Sequence, residues 1–506
     1  MTFDPHSDAL VMGVVGTGTM GRGIAQIAAA AGVSVILADA RPGAAEEAVA
    51  ALDAAFDRLA EKGKITAEAA SAAKARLTPV EPNAPDFAQC ALVVEAILED
   101  LEAKRALFAG LEGVVGDECV LATNTSSLSV TAIAAACRRP ERVAGFHFFN
   151  PVPLMRIVEV APGVLTAPAV TEALAGLGAR MGHFAAVTRD TPGFLVNHAG
   201  RGYGTEALRV FGEGVADCAA IDRILTGGAG FRMGPFELLD LIGIDISHAV
   251  MESLYGQFYQ EPRYRPSVLP RQLVAANLLG RKTGRGFYAY ENGRPVLPPE
   301  APVPDAAPRP LWIGMHNPEG AGLLMRALDG LEIETGDRPS PHAACIVAPL
   351  GEDCTTAALA EDLDPRRTVA VDTLFGLDGR RTLMTNPVTD PAVRDAVHAA
   401  LARGGPVTVI HDSPGFVAQR VVAMIVNIGC DIAQQRIASP ADIDRAVPLG
   451  LGYPLGPLAF GDRLGPHRVL EVLEALHAFT GDPRYRPSPW LKRRARLSVP
   501  LTTPEA

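Results

Sequence analysis

His147 and Glu159 stand twelve residues apart in the segment 143–160, and they are the residue types that proton transfer at an alcohol or carbonyl would need. An imidazole takes up and returns a proton near neutral pH. A carboxylate that receives its second ring N–H fixes the tautomer and offsets the charge of the imidazolium. The residues alone leave alternatives open. A histidine set among Phe146, Phe148 and Phe149 could be a packed core residue, and Glu159 could face solvent from a short apolar strand.

A second constellation lies near the amino terminus. The apolar run Val11–Val15 leads straight into Gly16-Thr-Gly-Thr-Met-Gly21 and a helix-forming stretch. Gly16 permits a tight turn, Gly18 presents no side chain to an approaching phosphate, and Gly21 lets the helix lie close to the strand. The amides at the helix start then face an anion. A second apolar run ends at Asp39, about twenty residues beyond the glycines, where a carboxylate meets a ribose hydroxyl. The pattern predicts dinucleotide binding, and Asp39 favours NAD over NADP because it would repel a 2'-phosphate. Arg41 could reach such a phosphate or could be a solvated loop arginine. An ordinary strand–turn–helix whose glycines only serve packing is the plainer alternative.

These residues need an open sheet to hold them. From Val11 to about Arg189 short apolar strands, among them 92–95, 120–123 and 142–146, alternate with helical stretches such as 44–62. That is the texture of a doubly wound parallel sheet, with His147 just past a strand at the edge where such sheets keep their ligands. After Asp190 the apolar residues recur at helical spacing, which predicts a helical domain over 190–292. Seven prolines between Arg294 and Pro310 mark a stiff linker over 293–310.

The second half then repeats the first. Asp190-Thr-Pro-Gly-Phe returns as Asp412-Ser-Pro-Gly-Phe, Gly234-Pro-Phe as Gly456-Pro-Leu, and Pro262-Arg-Tyr-Arg-Pro-Ser as Pro483-Arg-Tyr-Arg-Pro-Ser, at an offset of 222 that slips by one at the last pair. One constant offset signals internal duplication. Residues 311–411 read as a shortened, degenerate sheet domain with strands at 311–314, 344–348, 368–371 and 407–410, and 412–506 as the second helical copy. The first of these strands is followed by Met315-His-Asn-Pro-Glu-Gly rather than the glycine pattern, so no cofactor is expected there.

Composition bounds the rest. At 506 residues the chain is long enough for roughly three or four domains. A net charge of −11 without a long basic run excludes a nucleic-acid footprint. No stretch has the form of a secretion signal or the length of a membrane span, so the chain is expected to be cytoplasmic with no membrane partner. Seven cysteines, an odd number without a CxxC pair, read as reduced and mostly buried thiols. Cys345 and Cys354 lack histidines at ligand spacing, and no metal is expected.

Taken together, the Gly16–Gly21 loop, Val94-Glu-Ala-Ile97, Thr123-Asn-Thr-Ser-Ser-Leu128, His147-Phe-Phe-Asn-Pro-Val-Pro153, Asp190-Thr-Pro-Gly-Phe194, Gly234-Pro-Phe-Glu-Leu-Leu-Asp240 and Lys282-Thr-Gly-Arg-Gly-Phe-Tyr288 resemble the L-3-hydroxyacyl-CoA dehydrogenase family, in its long, duplicated bacterial form. The likeness spans the chain and is strongest over residues 11–290. It implies a Rossmann-type domain over 1–189 followed by the family's all-α domain over 190–292. It also implies NAD-dependent oxidation of a (3S)-3-hydroxyacyl-CoA, of the 3-hydroxybutyryl or 3-hydroxyadipyl kind, in fatty-acid or phenylacetate catabolism. By this resemblance His147 is the catalytic base, Glu159 its partner, and Ser126 and Asn197 bind the substrate's C3 oxygen. Gly16, Gly18, Gly21, Asp39, Glu99, Lys104, Asn150 and Lys282 fall on NAD contacts, and Lys62 on a contact to the coenzyme A phosphates.

Outside the resemblance, Ser126 could be a loop cap, Asn197 part of a helix-start turn, Lys62 an exposed helix-end lysine, and Glu99 and Lys104 a solvated helix face. In the second half Gln419 stands at the place of Asn197 and Arg381 at that of Glu159, while the Lys282 segment has no counterpart. That half is therefore read as non-catalytic. Its helical copy would occupy a partner's place, giving an intrachain pseudo-dimer or a homo-oligomer. The competing readings are a β-hydroxy-acid or sugar-acid dehydrogenase without coenzyme A, and a non-enzymatic NAD-binding structural protein.

Overall fold

The computed structural model describes residues 3–82 and 84–505. The chain forms two compact units, one of residues 1–198 with 435–451 and one of residues 199–434 with 452–506.

The first unit is built on strands β1 (Val11–Val15), β2 (Ser34–Ala38), β3 (Leu77–Pro79), β4 (Leu92–Glu95), β5 (Val120–Thr123), β6 (Val143–Phe148), β7 (Ile157–Pro162) and β8 (Phe184–Val187). Their order is β3-β2-β1-β4-β5-β6-β7-β8. The strands run parallel through β6, β7 turns back against β6, and β8 follows parallel to β7. Alternate residues divide between two cores because successive side chains of a strand point to opposite faces. Val35, Leu37, Val94 and Ala122 enter one cluster, and Ile36, Ala38, Val93 and Leu121 the other. A sheet covered on both faces needs such unbroken apolar strands.

Helices α1 (Thr19–Ala30), α2 (Ala44–Glu61), α3 (Ala67–Lys74), α4 (Leu101–Leu111), α5 (Val130–Ala134), α6 (Pro168–Arg180) and α7 (Val196–Ala199) complete its first 198 residues. α2 buries Ala44, Ala45, Ala48, Leu52 and Phe56, an apolar stripe at helical spacing. The helix Pro440–Leu451, from the second half of the chain, belongs to this unit and packs on β7 and β8, with the Arg445 guanidinium 4.2 Å from the centre of the Phe184 ring.

The second unit opens with α8 (Arg201–Gly212), α9 (Cys218–Gly227), α10 (Pro235–Ile242), α11 (Ile244–Gln257) and α12 (Val268–Ala275), then a hairpin of β9 (Tyr290–Glu291) and β10 (Arg294–Pro295). The proline-rich stretch is tied down by Glu300, whose carboxylate takes both Arg380 terminal nitrogens at 2.8 Å. A six-stranded sheet follows, from β11 (Leu311–Ile313), β12 (Ile333–Glu334), β13 (Ala344–Val347), β14 (Thr368–Val371), β15 (Arg381–Thr385) and β16 (Val407–Ile410), with α13 (Pro318–Ala327), α14 (Cys354–Ala360) and α15 (Pro391–Ala402) between strands. α16 (Ala418–Gln434) begins the second helical copy; α17 is the helix Pro440–Leu451, and α18 (Pro457–Leu464), α19 (Pro466–Thr480) and α20 (Pro489–Leu497) close the chain.

The duplication is written in the backbone. Left-handed φ values recur at the same offset: 72° at Gly193 and 73° at Gly415, 48° at Phe194 and 51° at Phe416, 103° at Gly243 and 94° at Gly465. The shared Asp does the same work twice. Asp190 accepts from the Val130 and Thr131 amides at 2.9 and 2.7 Å and so caps α5, and Asp412 accepts from Cys354 N at 2.7 Å and Thr355 N at 3.3 Å and caps α14. The sheets differ in one telling respect. In the second, β14 pairs antiparallel with β15 as β6 does with β7, so β14 stands in the place of β6, and one of the parallel strands before it has no counterpart.

α8 and α16 pack so closely that a Cβ on Gly202 would lie 3.0 Å from the Ile425 backbone. Beside this crossing Glu206, fully buried, holds Arg420 Nε at 2.6 Å, Arg484 Nη1 at 3.0 Å and the Tyr485 hydroxyl at 2.6 Å.

Candidate active site

β1 delivers the glycine turn. Gly16 has φ +97°, and a Cβ there would lie 2.5 Å from Ala96 O, while one on Gly21 would collide with Gly16 O. Gly18, by contrast, has nothing within 4 Å of an added Cβ and stands at the start of α1 without a side-chain cap. Two glycines therefore close the turn, and the third opens it above uncapped helix amides, a cradle suited to a pyrophosphate.

Asp39 ends β2, half-buried. Its carboxylate accepts from Thr17 N at 2.7 Å, the Thr17 hydroxyl at 2.8 Å and Arg41 N at 3.0 Å. Burial raises its pKa, but these donors outweigh burial and hold it below the usual carboxylate value. The anion is thus fixed where a ribose would lie. Arg41 turns to Glu47 at 3.2 Å, both side chains exposed, as a solvated loop arginine does.

β6 and β7 bring the proton-transfer pair together. His147 and Glu159 are direct partners in their antiparallel register, and His147 Nδ1 lies 2.7 Å from Glu159 Oε2. Glu159 is fully buried, and its other oxygen accepts from Leu195 N at 2.9 Å and Val196 N at 2.7 Å. A carboxylate can only accept, so Nδ1 carries the hydrogen and Nε2 is the ring nitrogen left to act on a substrate. Phe149 and Phe194 flank the imidazole, their ring centres 4.5 and 5.8 Å away. The same carboxylate thereby ties His147 to the amides beside Asn197, which is half-buried in α7.

The loop after β5 presents Ser126, half-buried, gripped by Glu99 through the Ser126 amide at 2.9 Å and its hydroxyl at 3.3 Å. Glu99 also takes the Thr125 hydroxyl at 2.7 Å and the Ser127 amide at 3.0 Å. Burial raises its pKa, and the Thr125 hydroxyl and the Lys104 charge bring it below the ordinary value.

Other positions fall as follows. Asn150, exposed, follows β6. Lys62, exposed, ends α2. Lys282 lies in the second unit and pairs with Asp245 at 2.7 Å. Lys104 departs from the solvated-helix reading, being 1% exposed with its Nζ on Glu95. In the second half Gln419 is buried and donates to Asp372 at 2.9 Å, and Arg381 donates to Leu377 O at 2.8 Å.

Sequence reasoning passed over Glu95 and Asn124. Glu95 is a carboxylate with no exposure at the end of an apolar strand, and that misfit of residue and setting was the available signal. Asn124 holds the Phe148 amide at 2.8 Å, a contact across strands that no local pattern announces. Among the described residues no group of three or more His, Cys, Asp or Glu is arranged to hold a metal ion, and no helix is long and apolar enough to cross a membrane. All seven cysteines are free.

The model of the 3-hydroxyacyl-CoA dehydrogenase NAD binding domain matches residues 11–191, and that of the family's C-terminal domain matches twice, at 193–290 and 415–499. The 3-hydroxyadipyl-CoA dehydrogenase of Escherichia coli is 41% identical over 96% of this chain and 97% of its own. The 3-hydroxybutyryl-CoA dehydrogenase of Bradyrhizobium diazoefficiens is 41% identical over 56% of this chain and 97% of its own, so it matches one part alone. The crystal structure of 3-hydroxybutyryl-CoA dehydrogenase from Escherichia coli K12 superposes with a TM-score of 0.84 at 38% identity, covering 96% of this chain and 98% of that one. The chain belongs to the 3-hydroxyacyl-CoA dehydrogenase family of NAD-dependent oxidoreductases, in a form that carries the C-terminal domain twice.

Proposed function

We propose that this protein oxidises a (3S)-3-hydroxyacyl-CoA to the 3-oxoacyl-CoA, reversibly. The observation that carries the reading is the 2.7 Å contact of His147 Nδ1 with buried Glu159 at the carboxyl edge of the sheet bearing the glycine cradle. His147 Nε2 accepts the proton of the 3-hydroxyl, and Glu159 offsets the charge that develops on the ring. Ser126 and Asn197 hold the C3 oxygen while this happens. NAD, when bound over Gly16, Gly18 and Gly21 with its ribose on Asp39, supplies the acceptor for the hydride leaving C3. In the reverse direction imidazolium returns the proton.

Glu99, Asn150 and Lys282 are assigned to the nucleotide side and exposed Lys62 to the coenzyme A phosphates, whereas Lys104, 1% exposed and held on Glu95, stands apart from that set. The acyl group is of the 3-hydroxybutyryl or 3-hydroxyadipyl kind, which places the enzyme in fatty-acid or phenylacetate catabolism. In the second half Gln419 and Arg381 stand where Asn197 and Glu159 do and the Lys282 segment has no counterpart, and that half is non-catalytic. Its helical copy takes a partner's place, so the chain is its own pseudo-dimer. Free cysteines suit a reducing, cytoplasmic setting.

The test is NADH formation with 3-hydroxybutyryl-CoA, 3-hydroxyadipyl-CoA and the matching free acids. Turnover confined to the thioesters supports the reading. Equal turnover of the free acids assigns the site to a β-hydroxy-acid dehydrogenase, and none with any substrate leaves an NAD-binding protein.

A further inference from the structure

Lys104 is 1% exposed, and a lysine is buried to that degree when its charge is met. Its Nζ lies 2.5 Å from Glu95 Oε1 and 3.3 Å from Glu99 Oε2. Glu95 is itself immobilised: Oε1 also accepts from Ile97 N at 2.7 Å, and Oε2 accepts from the Thr123 hydroxyl at 2.7 Å. It therefore joins the ends of β4 and β5 and holds the ammonium between them. Glu99, the outer member, sends all of its loop contacts through one oxygen. Oε1 takes the Thr125 hydroxyl, the amides of Ser126 and Ser127 and both serine hydroxyls, at 2.7 to 3.3 Å. The other oxygen is left for Lys104.

We propose that Glu95 and Lys104 form a buried anchor that positions Ser126 through Glu99. This rests on the reading of Ser126 as a ligand of the C3 oxygen. Ser126 cannot orient itself from a loop. Its amide and hydroxyl are set by one carboxylate, and that carboxylate would swing with solvent were its second oxygen not tethered to a cation fixed from beneath. The Ser126 hydroxyl has the longest of these contacts, 3.3 Å, so it is the donor most readily passed to a substrate oxygen while its own amide stays in place. Glu95 and Lys104 are positioning residues, two steps removed from the reacting atoms. Lys104 accordingly serves the serine loop rather than the nucleotide directly.

The test uses the full-length enzyme. Glu95→Gln/Lys104→Met replaces the ion pair by neutral side chains of similar size, a change that buried pairs often tolerate in stability. Amide exchange over residues 124–128 should quicken by about tenfold while the glycine turn is unchanged. The kcat/KM for the 3-hydroxyacyl-CoA should fall about 10- to 100-fold, and this loss should vanish in a Ser126→Ala background, since residues acting through one group are not additive. A merely structural role would give the same loss in both backgrounds.

Unchanged exchange at 124–128 overturns the proposal. So does a loss that persists in Ser126→Ala and lies in NADH affinity, which would place the pair on the nucleotide side. If Ser126→Ala alone leaves turnover intact, the functional reading of Ser126 fails, while quickened exchange still upholds the anchor. Should the double variant not fold, Glu95→Gln, which keeps size and an acceptor, should give the same changes in smaller measure.

Discussion

Glu159 does two jobs with two oxygens, and the substitution of choice separates them. In Glu159→Gln an amide remains to meet the Leu195 and Val196 N–H groups, but the negative charge that stabilises imidazolium is lost. The kcat for oxidation should fall about 10²- to 10⁴-fold with NADH affinity unchanged, measured by steady-state kinetics and fluorescence titration. The glycines divide in the same way. Gly21→Ala places a methyl on Gly16 O and should cost about 1–3 kcal/mol in urea unfolding. Gly18→Ala meets no protein atom, so the melting temperature should hold while NADH binds at least about tenfold more weakly, because only the ligand approaches that point. The glycine loop and Asp39 were legible as residue types that follow apolar strands, and His147 and Glu159 as residue types suited to proton transfer, although both lie within strands and only the antiparallel register of β6 and β7 brings them together. The Glu95–Lys104 pair was not, since an acid in an apolar strand and a lysine on a helix meet only after α4 has docked.

At the level of elements, the repeated Asp-x-Pro-Gly-Phe motif announced the duplication, yet its task is hidden from the sequence: Asp190 caps a helix about sixty residues upstream. Asp190→Ala should cost about 0.5–2 kcal/mol in chemical denaturation. Asp222 offers a test in pH. It accepts from the Phe236 and Glu237 amides and the Tyr288 hydroxyl, and burial pushes its pKa up to about 6 from 3.8. The folded state holds this proton more tightly than the unfolded chain. The group's contribution to stability is therefore present below about 4 and lost as pH rises through about 6. Asp222→Asn should flatten that part of the stability curve, as followed by thermal melts; an unaltered slope would contradict it. Strand β15 escaped the sequence reading because it opens on Arg381, a cation that reads as surface but is buried by donating to backbone carbonyls at the end of a loop.

On the scale of the whole molecule, the chain is not a row of domains in sequence order. α17, from the second helical copy, belongs to the first unit and covers β7 and β8, while α9, its counterpart in the first copy, meets the second sheet's Arg380 through the Gly227 carbonyl at 3.0 Å. Periodicity located these helices but could not say which sheet each would cover. A fragment ending at residue 292 lacks α17. It should self-associate or aggregate in light scattering, and a monodisperse monomer of unchanged melting temperature would refute this. The buried Glu206 cluster should be as sensitive. Burial raises the Glu206 pKa, but Arg420 and Arg484 more than offset it and hold the group below 4.5, so its contribution is full above that value and lost as pH falls beneath it. Glu206→Gln leaves two guanidinium groups poorly matched and should cost about 3–5 kcal/mol in urea unfolding at neutral pH.

The central claim is that the His147 imidazole moves the proton of the substrate hydroxyl. Its most direct test is the single-turnover rate of 3-hydroxyacyl-CoA oxidation in His147→Gln, measured beside the NADH affinity of the same variant. The rate should fall by at least about 10²-fold while NADH binds as before. A rate near that of the unaltered enzyme, with the nucleotide bound normally, would contradict it.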